Sequence, residues 1–169
     1  MSSSVAIAGC AMTDQRFRPS TNETAPRQPA CGGPLLGTWK LQFFKTEYPD
    51  TRETKEPLGA HPTGYLSYGA DCRMYAILAG EGRKLPAADF PTDAEKIALF
   101  DGMGAYAGTY TVEGNTVTHH VDVSWNEAWT GTDQVRQFKI EGDTLQIRAH
   151  GLESGRDSLS TLLWTRVKR

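Results

Sequence analysis

The chain has 169 residues, of which 38% are hydrophobic, and a formal net charge of −2. That length supports one globular domain whose core stands without disulfides or metals, and the near-neutral charge excludes the basic footprint of a nucleic-acid binder. No apolar run reaches the roughly 18 residues that a membrane-spanning helix needs.

Residues 1–33 are rich in Ser, Thr, Pro, Gln and Arg and show little apolar periodicity. They cannot bury enough surface to offset the entropy of ordering, so a flexible leader is expected ahead of a domain over 34–169. Val5-Ala6-Ile7-Ala8-Gly9-Cys10 looks like a lipoprotein processing box. No positive residue precedes it and its apolar run is too short for a signal peptide, so an unprocessed tail is expected. The cysteines, Cys10, Cys31 and Cys72, are odd in number and irregular in spacing. That pattern is neither a disulfide framework nor a zinc site, and it predicts a reducing, cytoplasmic setting.

The domain opens with Gly37, after which Trp39, Leu41 and Phe43 alternate with polar residues as in a half-buried strand, while Phe44 blurs the far end. Residues 46–62 hold three prolines and a glycine and are read as a loop long enough to border a site. Gly64-Tyr65-Leu66-Ser67-Tyr68 and the run from Arg73 to Leu78 flank Gly69-Ala70-Asp71-Cys72, a hairpin pattern. Met74, Ala76 and Leu78 form its more apolar face. Thr92 followed by Glu95 is a capping box, and Ala94, Ile97, Ala98 and Phe100 give the ensuing helix an apolar stripe, ended by Gly102 and Gly104. From Ala105 onward the pattern is strand and turn: Glu113-Gly114-Asn115 and Glu141-Gly142-Asp143 separate strands, and 151–157 is read as a loop.

Eight strands result, starting at Gly37, Gly64, Arg73, Ala105, Thr116, Gln134, Thr144 and Leu159. Short connections make neighbours antiparallel. An all-β fold is therefore expected: a closed, eight-stranded antiparallel up-and-down barrel with one short helix, wide enough for one small ligand. A flattened sandwich is the competing arrangement.

Gly37-Thr38-Trp39 resembles the Gly-x-Trp signature of lipocalins, and Arg166 falls where those proteins keep an Arg packed over that Trp. A broader similarity runs in order through Leu35-Leu36-Gly37-Thr38-Trp39, Gly64-Tyr65-Leu66, Ala98-Leu99-Phe100-Asp101-Gly102, Gly108-Thr109-Tyr110, Val117-Thr118-His119-His120-Val121, Trp129-Thr130-Gly131 and Leu163-Trp164-Thr165-Arg166. By these segments the chain resembles the bacterial and fungal lipocalin-like domain proteins. The resemblance implies a calycin-type barrel with a central cavity. It implies no single reaction, although some such proteins lie among natural-product biosynthesis genes.

The chemistry must come from the site itself. On the strand from Thr116, alternation sends Val117, His119, Val121, Val123 and Trp125 inward and His120 and Asp122 outward. His119 is then an imidazole on an apolar wall; a core histidine tied to a hydroxyl is the plainer reading. Phe138 and Ile140 choose the inner face of the next strand, and Gln134 and Arg136 go in with them. A buried Arg needs a carboxylate, a wet cavity or an anionic ligand. Asp101 and Glu127 are the candidate carboxylates. Tyr106 and Tyr110 share a face of the preceding strand, and Trp129 lies in a connection that could border the barrel mouth.

Three readings follow. The first is a cofactor-free isomerase, cyclase or dehydratase acting on a hydrophobic polyketide or terpenoid. His119 would be its acid or base, Arg136 would stabilise an enolate, and Tyr110 would act with them. Gln134, Tyr106, Trp125, Trp129, Phe138 and Met74 would contact the ligand. The second is a non-catalytic carrier of a small apolar molecule, and the third a barrel filled by its own side chains. No metal site, cofactor motif or nucleic-acid partner is suggested; the oligomeric state is read as monomer or homodimer.

Overall fold

A computed structural model describes residues 30–153 and 155–168. Nine strands form one sheet: β1 (Gly37–Tyr48), β2 (Glu53–Lys55), β3 (Thr63–Tyr68), β4 (Arg73–Ala79), β5 (Met103–Glu113), β6 (Thr116–Ser124), β7 (Asp133–Glu141), β8 (Thr144–Glu153) and β9 (Arg156–Arg166). Each neighbour is antiparallel. The pairing of β1 with β9, from Trp39 opposite Arg166 to Glu47 opposite Leu159, closes eight of the strands into a barrel. The ninth, β2, pairs only with the far half of β1, at Thr46, Glu47 and Tyr48.

Alternation decides what fills the interior. Leu66 and Tyr68 of β3, Met74, Ala76 and Leu78 of β4, Tyr110 of β5, Leu145 and Ile147 of β8 and Trp164 of β9 are all buried. Burying a Leu or Met side chain of this kind contributes about 1.5–3 kcal/mol. The outward partners Tyr75, Ile77 and Val135 are exposed.

Two irregularities change the faces that simple alternation predicts. In β1 the pairing with β9 steps from Leu41–Trp164 to Phe43–Leu163, which leaves Gln42 over. Trp39 and Leu41 point in before this bulge, and Thr46 and Tyr48 are buried after it. Phe44 joins that inner set on the cavity wall. In β6 the pairing with β5 steps from Val121–Gly108 to Val123–Ala107, which leaves Asp122 over. Val123, expected inside, is therefore 58% exposed. The bulge needs a glycine opposite it, because a Cβ on Gly108 would overlap the His120 carbonyl oxygen.

Two segments read as loops also differ from the sequence reading. β1 runs on to Tyr48 and the following stretch contains β2, so 46–62 is not all loop. The segment read as a loop at 151–157 is mostly paired strand, with Gly151 opposite Ser158 and Leu152 opposite Asp157. The helix α1 (Asp93–Asp101) has the expected capping box: Thr92 Oγ1 accepts from the Glu95 N–H, and Glu95 accepts from the Thr92 N–H. Its apolar stripe, however, is not packed. Ile97 is 62% exposed and no residue of the helix is buried.

The two ends of the barrel are built differently. At one end the connections are the tight turns 69–72, 114–115 and 142–143. A short 3-10 turn, Gly33–Leu35, crosses that end and drops the fully buried Leu35 beneath it. The Trp39 indole N–H donates to the Leu35 carbonyl at 2.8 Å, and the Arg166 guanidinium lies 4.0 Å from the Trp39 ring centre. Arg166 also donates to the Leu36 and Pro34 carbonyls at 2.7 and 2.9 Å. The stacking that the family resemblance implied is thus present, as a plug.

Cys31 and Cys72 form a disulfide at this same end, with their Cα atoms 5.3 Å apart. This corrects the reading of the cysteine pattern as no disulfide framework. Sequence spacing could not show it, because the closeness comes from the fold. Ala30 bridges to Val112 beside the disulfide, so residues 30–33 are attached to the barrel. Disulfides persist in oxidising compartments, which weighs against the expected reducing cytoplasm. Cys10 and its neighbours lie outside the described residues. No helix among the described residues is long and apolar enough to cross a membrane.

Candidate functional site

The opposite end carries the long connections, 49–62, 80–102 and 125–132. A cavity of about 500 Å³ runs from it into the barrel. Its wall is mainly apolar, including Phe44, Leu66, Ala76, Leu78, Ile147 and Leu162. Such a volume lies within the usual range for small-molecule sites and argues against a barrel filled by its own side chains.

The centre of the wall is a hydrogen-bonded chain. His119 is 1% exposed on β6. Its Nε2 lies 2.7 Å from the Tyr68 hydroxyl of β3, and its Nδ1 lies 3.0 Å from the Tyr106 hydroxyl of β5. Burial pushes the His119 pKa from 6.5 down to about 3, assisted by the positive charge of Arg136. The imidazole is neutral at physiological pH. It has one N–H to give and one lone pair to offer. Burial likewise raises the pKa of both tyrosines, Tyr68 well above its ordinary value, so both stay protonated.

The direction of the chain follows from accounting for each proton. His119 is the only hydrogen-bond partner of the Tyr68 hydroxyl among the described residues. An O–H left unmet in the core costs about 1–3 kcal/mol, so Tyr68 donates to Nε2. The remaining ring proton is then on Nδ1 and goes to the Tyr106 oxygen. The Tyr106 O–H is left pointing at the cavity that its side chain lines.

Arg136 is the second polar feature. It lines the cavity from β7. Its Nη2 donates to Gln134 Oε1 and its Nη1 to the Val135 carbonyl, each at 2.9 Å. Gln134 in turn donates to Thr132 Oγ1 at 2.8 Å, which fixes its amide. No carboxylate pairs with Arg136 among the described residues, although its positive charge is felt at His119. The ion pairs considered with Asp101 or Glu127 are absent. Asp101 is exposed on the cavity rim, and Glu127 accepts a hydrogen bond from Thr130.

Aromatic rings line the open end. Trp125 and Trp129 meet edge to face at 5.2 Å, Trp129 meets Tyr106 at 5.5 Å, and Phe100 of α1 lies 6.0 Å from Trp125. Edge-to-face rings of this kind add about 0.5–1.5 kcal/mol beyond their buried area.

The residues singled out from the sequence therefore divide. His119, Arg136, Gln134, Tyr106, Trp125 and Trp129 are brought together on the cavity wall. Tyr110, Met74 and Phe138 belong instead to the packed core. The Tyr110 hydroxyl donates to the Gly69 carbonyl at 3.0 Å and accepts from the Gly32 N–H at 2.9 Å, so it fastens the closed end. His120 points outward between Thr111 and Asp133. Tyr68 and Trp164 were missed. Period-two spacing from Leu66 and from Leu162 would have placed both inward. Among the described residues no group of three or more His, Cys, Asp or Glu side chains could hold a metal ion.

A closed antiparallel barrel around a mostly apolar cavity is the architecture of a small-molecule binder. The chain belongs to the lipocalin-like domain family, whose sequence model matches residues 36–167. A search of curated proteins finds no match.

Proposed function

We propose that this protein binds a small, largely apolar molecule within the barrel and acts as its carrier. The observation that carries this reading is the cavity of about 500 Å³, open at one end, with its polar groups gathered around His119 and Arg136. The disulfide supports operation in an oxidising compartment. The test is to extract the purified protein for mass spectrometry and then compare binding with a variant whose cavity is filled, Ala149→Phe. A co-purifying compound should rebind the native barrel and bind the filled one at least tenfold more weakly. Equal affinity for the two proteins would rule out the cavity as its site.

One observation favours a catalytic reading beside the first. The Tyr68–His119–Tyr106 chain ends in an O–H at the cavity, on a wall shared with Arg136. A cofactor-free isomerase, cyclase or dehydratase of a natural-product pathway needs such a proton donor and a cation for developing negative charge. In this reading Tyr106 is the donor, and His119 aligns and polarises it rather than titrating itself. Tyr106→Phe would stop turnover of the co-purified compound even when the compound saturates the barrel. Undiminished turnover in that variant excludes the role.

A further inference from the structure

The hydrogen-bonding character of the cavity says more about its ligand than its volume does. Two side-chain polar atoms are buried without a partner among the described residues, the indole nitrogens of Trp125 and Trp164, and both are closed off from water, so the donors open to a ligand lie elsewhere on the wall. Both tryptophans line the cavity. Trp164 is 2% exposed. An indole nitrogen can only donate. The Tyr106 O–H, by the proton accounting above, is also a donor aimed at the cavity. Arg136 has five N–H donors and uses two on protein acceptors. The free hydrogen-bonding capacity of Arg136 and Tyr106 at the cavity is therefore donor capacity.

The acceptors nearest these two groups are engaged. Gln134 Oε1 takes the Arg136 proton and His119 Nε2 takes the Tyr68 proton. The Ser158 hydroxyl donates to the Gly151 carbonyl and keeps its lone pairs, while the Ser160 hydroxyl is bound to Thr46. Asp101 and His150, which also contribute to the wall, are exposed. A cationic molecule would meet the Arg136 charge and would find few free acceptors beside it, Gln134 Oε1 being already bound. One that brings oxygens satisfies groups that the protein leaves unmet. The Arg136 charge, half-buried and without a carboxylate, adds a preference for an anion.

On the reading of the barrel as a small-molecule binder, we propose that its ligand is an apolar, acceptor-rich anion. A carboxylate, enolate or phenolate oxygen sits on Arg136 and Tyr106, and the tryptophan rings pack on its apolar body. Neutral hydrocarbons and amines are discriminated against by the same wall.

Three probes on one ring system test this: 2-naphthoate, 2-acetylnaphthalene and 2-naphthylmethylammonium, titrated by calorimetry into the native, oxidised protein. The expected order is naphthoate, then acetylnaphthalene, then the ammonium, with at least tenfold between first and last. Arg136→Met should erase the advantage of naphthoate over acetylnaphthalene without weakening the latter more than twofold. Arg136→Lys, which keeps the charge, should retain a preference for naphthoate over the ammonium. Tyr106→Phe should weaken both oxygen-bearing probes severalfold. Binding of the ammonium as tightly as the naphthoate, or an unchanged naphthoate advantage in Arg136→Met, overturns the proposed ligand class and leaves the binding reading standing. If none of the three binds the native protein, the binding reading itself falls.

Discussion

The two ends of this barrel solve opposite problems with the same eight strands. At the sealed end the turns are short, and Leu35, Trp39, Arg166 and the Cys31–Cys72 bond stack as a plug. Nearly every group there is committed to another. At the open end three of the connections are long, α1 buries none of its residues, and Leu85 and Phe90 are 94% and 89% exposed. The lesson is a division of labour: stability is concentrated where the chain closes on itself, and the site is left at the end where packing demands little. His119 sits between the two, bonded to a core tyrosine on one side and to a cavity tyrosine on the other.

The strongest way to break that contrast is Trp39→Ala. Removing a fully buried indole, its stacked Arg166 and its bond to Leu35 should lower the unfolding free energy by about 3–5 kcal/mol in urea titrations. Leu152→Ala at the open end, where the side chain is 73% exposed, should stay within about 0.5 kcal/mol. Similar losses at both ends would mean that the plug is not special.

Next in size is the disulfide. Its cysteines are 41 residues apart in sequence, and a cross-link over such a loop contributes about 2–4 kcal/mol. Cys31→Ser should lose that amount while binding naphthoate within twofold of the native protein, because the bond lies at the end remote from the cavity. A large loss of affinity with little loss of stability would reverse the assignment of the two ends.

The smallest effect sharpens the contrast at its boundary. His119 binds a proton at about pH 6.5 when unfolded and only near pH 3 when folded. Below pH 6.5 the unfolded state therefore takes up more protons, and the stability contributed by the neutral, buried ring is lost progressively until pH 3. The loss should reach about 2 kcal/mol by pH 5. In His119→Gln the acid slope between pH 6.5 and 5 should be shallower by roughly 1 kcal/mol per pH unit. An identical slope in the two proteins would show that His119 is not the group responsible.

Much of this was legible beforehand because period-two patterning is a direct statement about two faces. Met74, Ala76 and Leu78, or Gln134, Arg136 and Phe138, declare a face by themselves. The bulges at Gln42 and Asp122 were not legible. An extra residue in a strand carries no composition signal of its own, and it reverses every side chain beyond it; hence the misplaced Val123 and the puzzling Phe44. Gly108, opposite the second bulge, was the one available clue. The helix stripe misled for a different reason. Ile97 and Phe100 have the right spacing, but nothing in a stripe says that a partner surface exists. Tyr110 and Tyr106 have the same residue type on the same face, and only three-dimensional distance separates a fastening for the sealed end from a cavity donor.

The three residues of β2 bear on a matter apart from ligands. The circuit of eight strands is closed, but β1 outruns β3 and continues to Tyr48, which leaves a stretch of sheet edge on that side. That overhang could recruit a strand from another molecule. Glu53, Thr54 and Lys55 pair with it instead, all exposed, and Lys45 and Glu56 form an ion pair close by. Charged, short and already hydrogen-bonded, this cover makes a poor template for further strands. The 49–62 connection thus guards the protein against aggregation from this overhang.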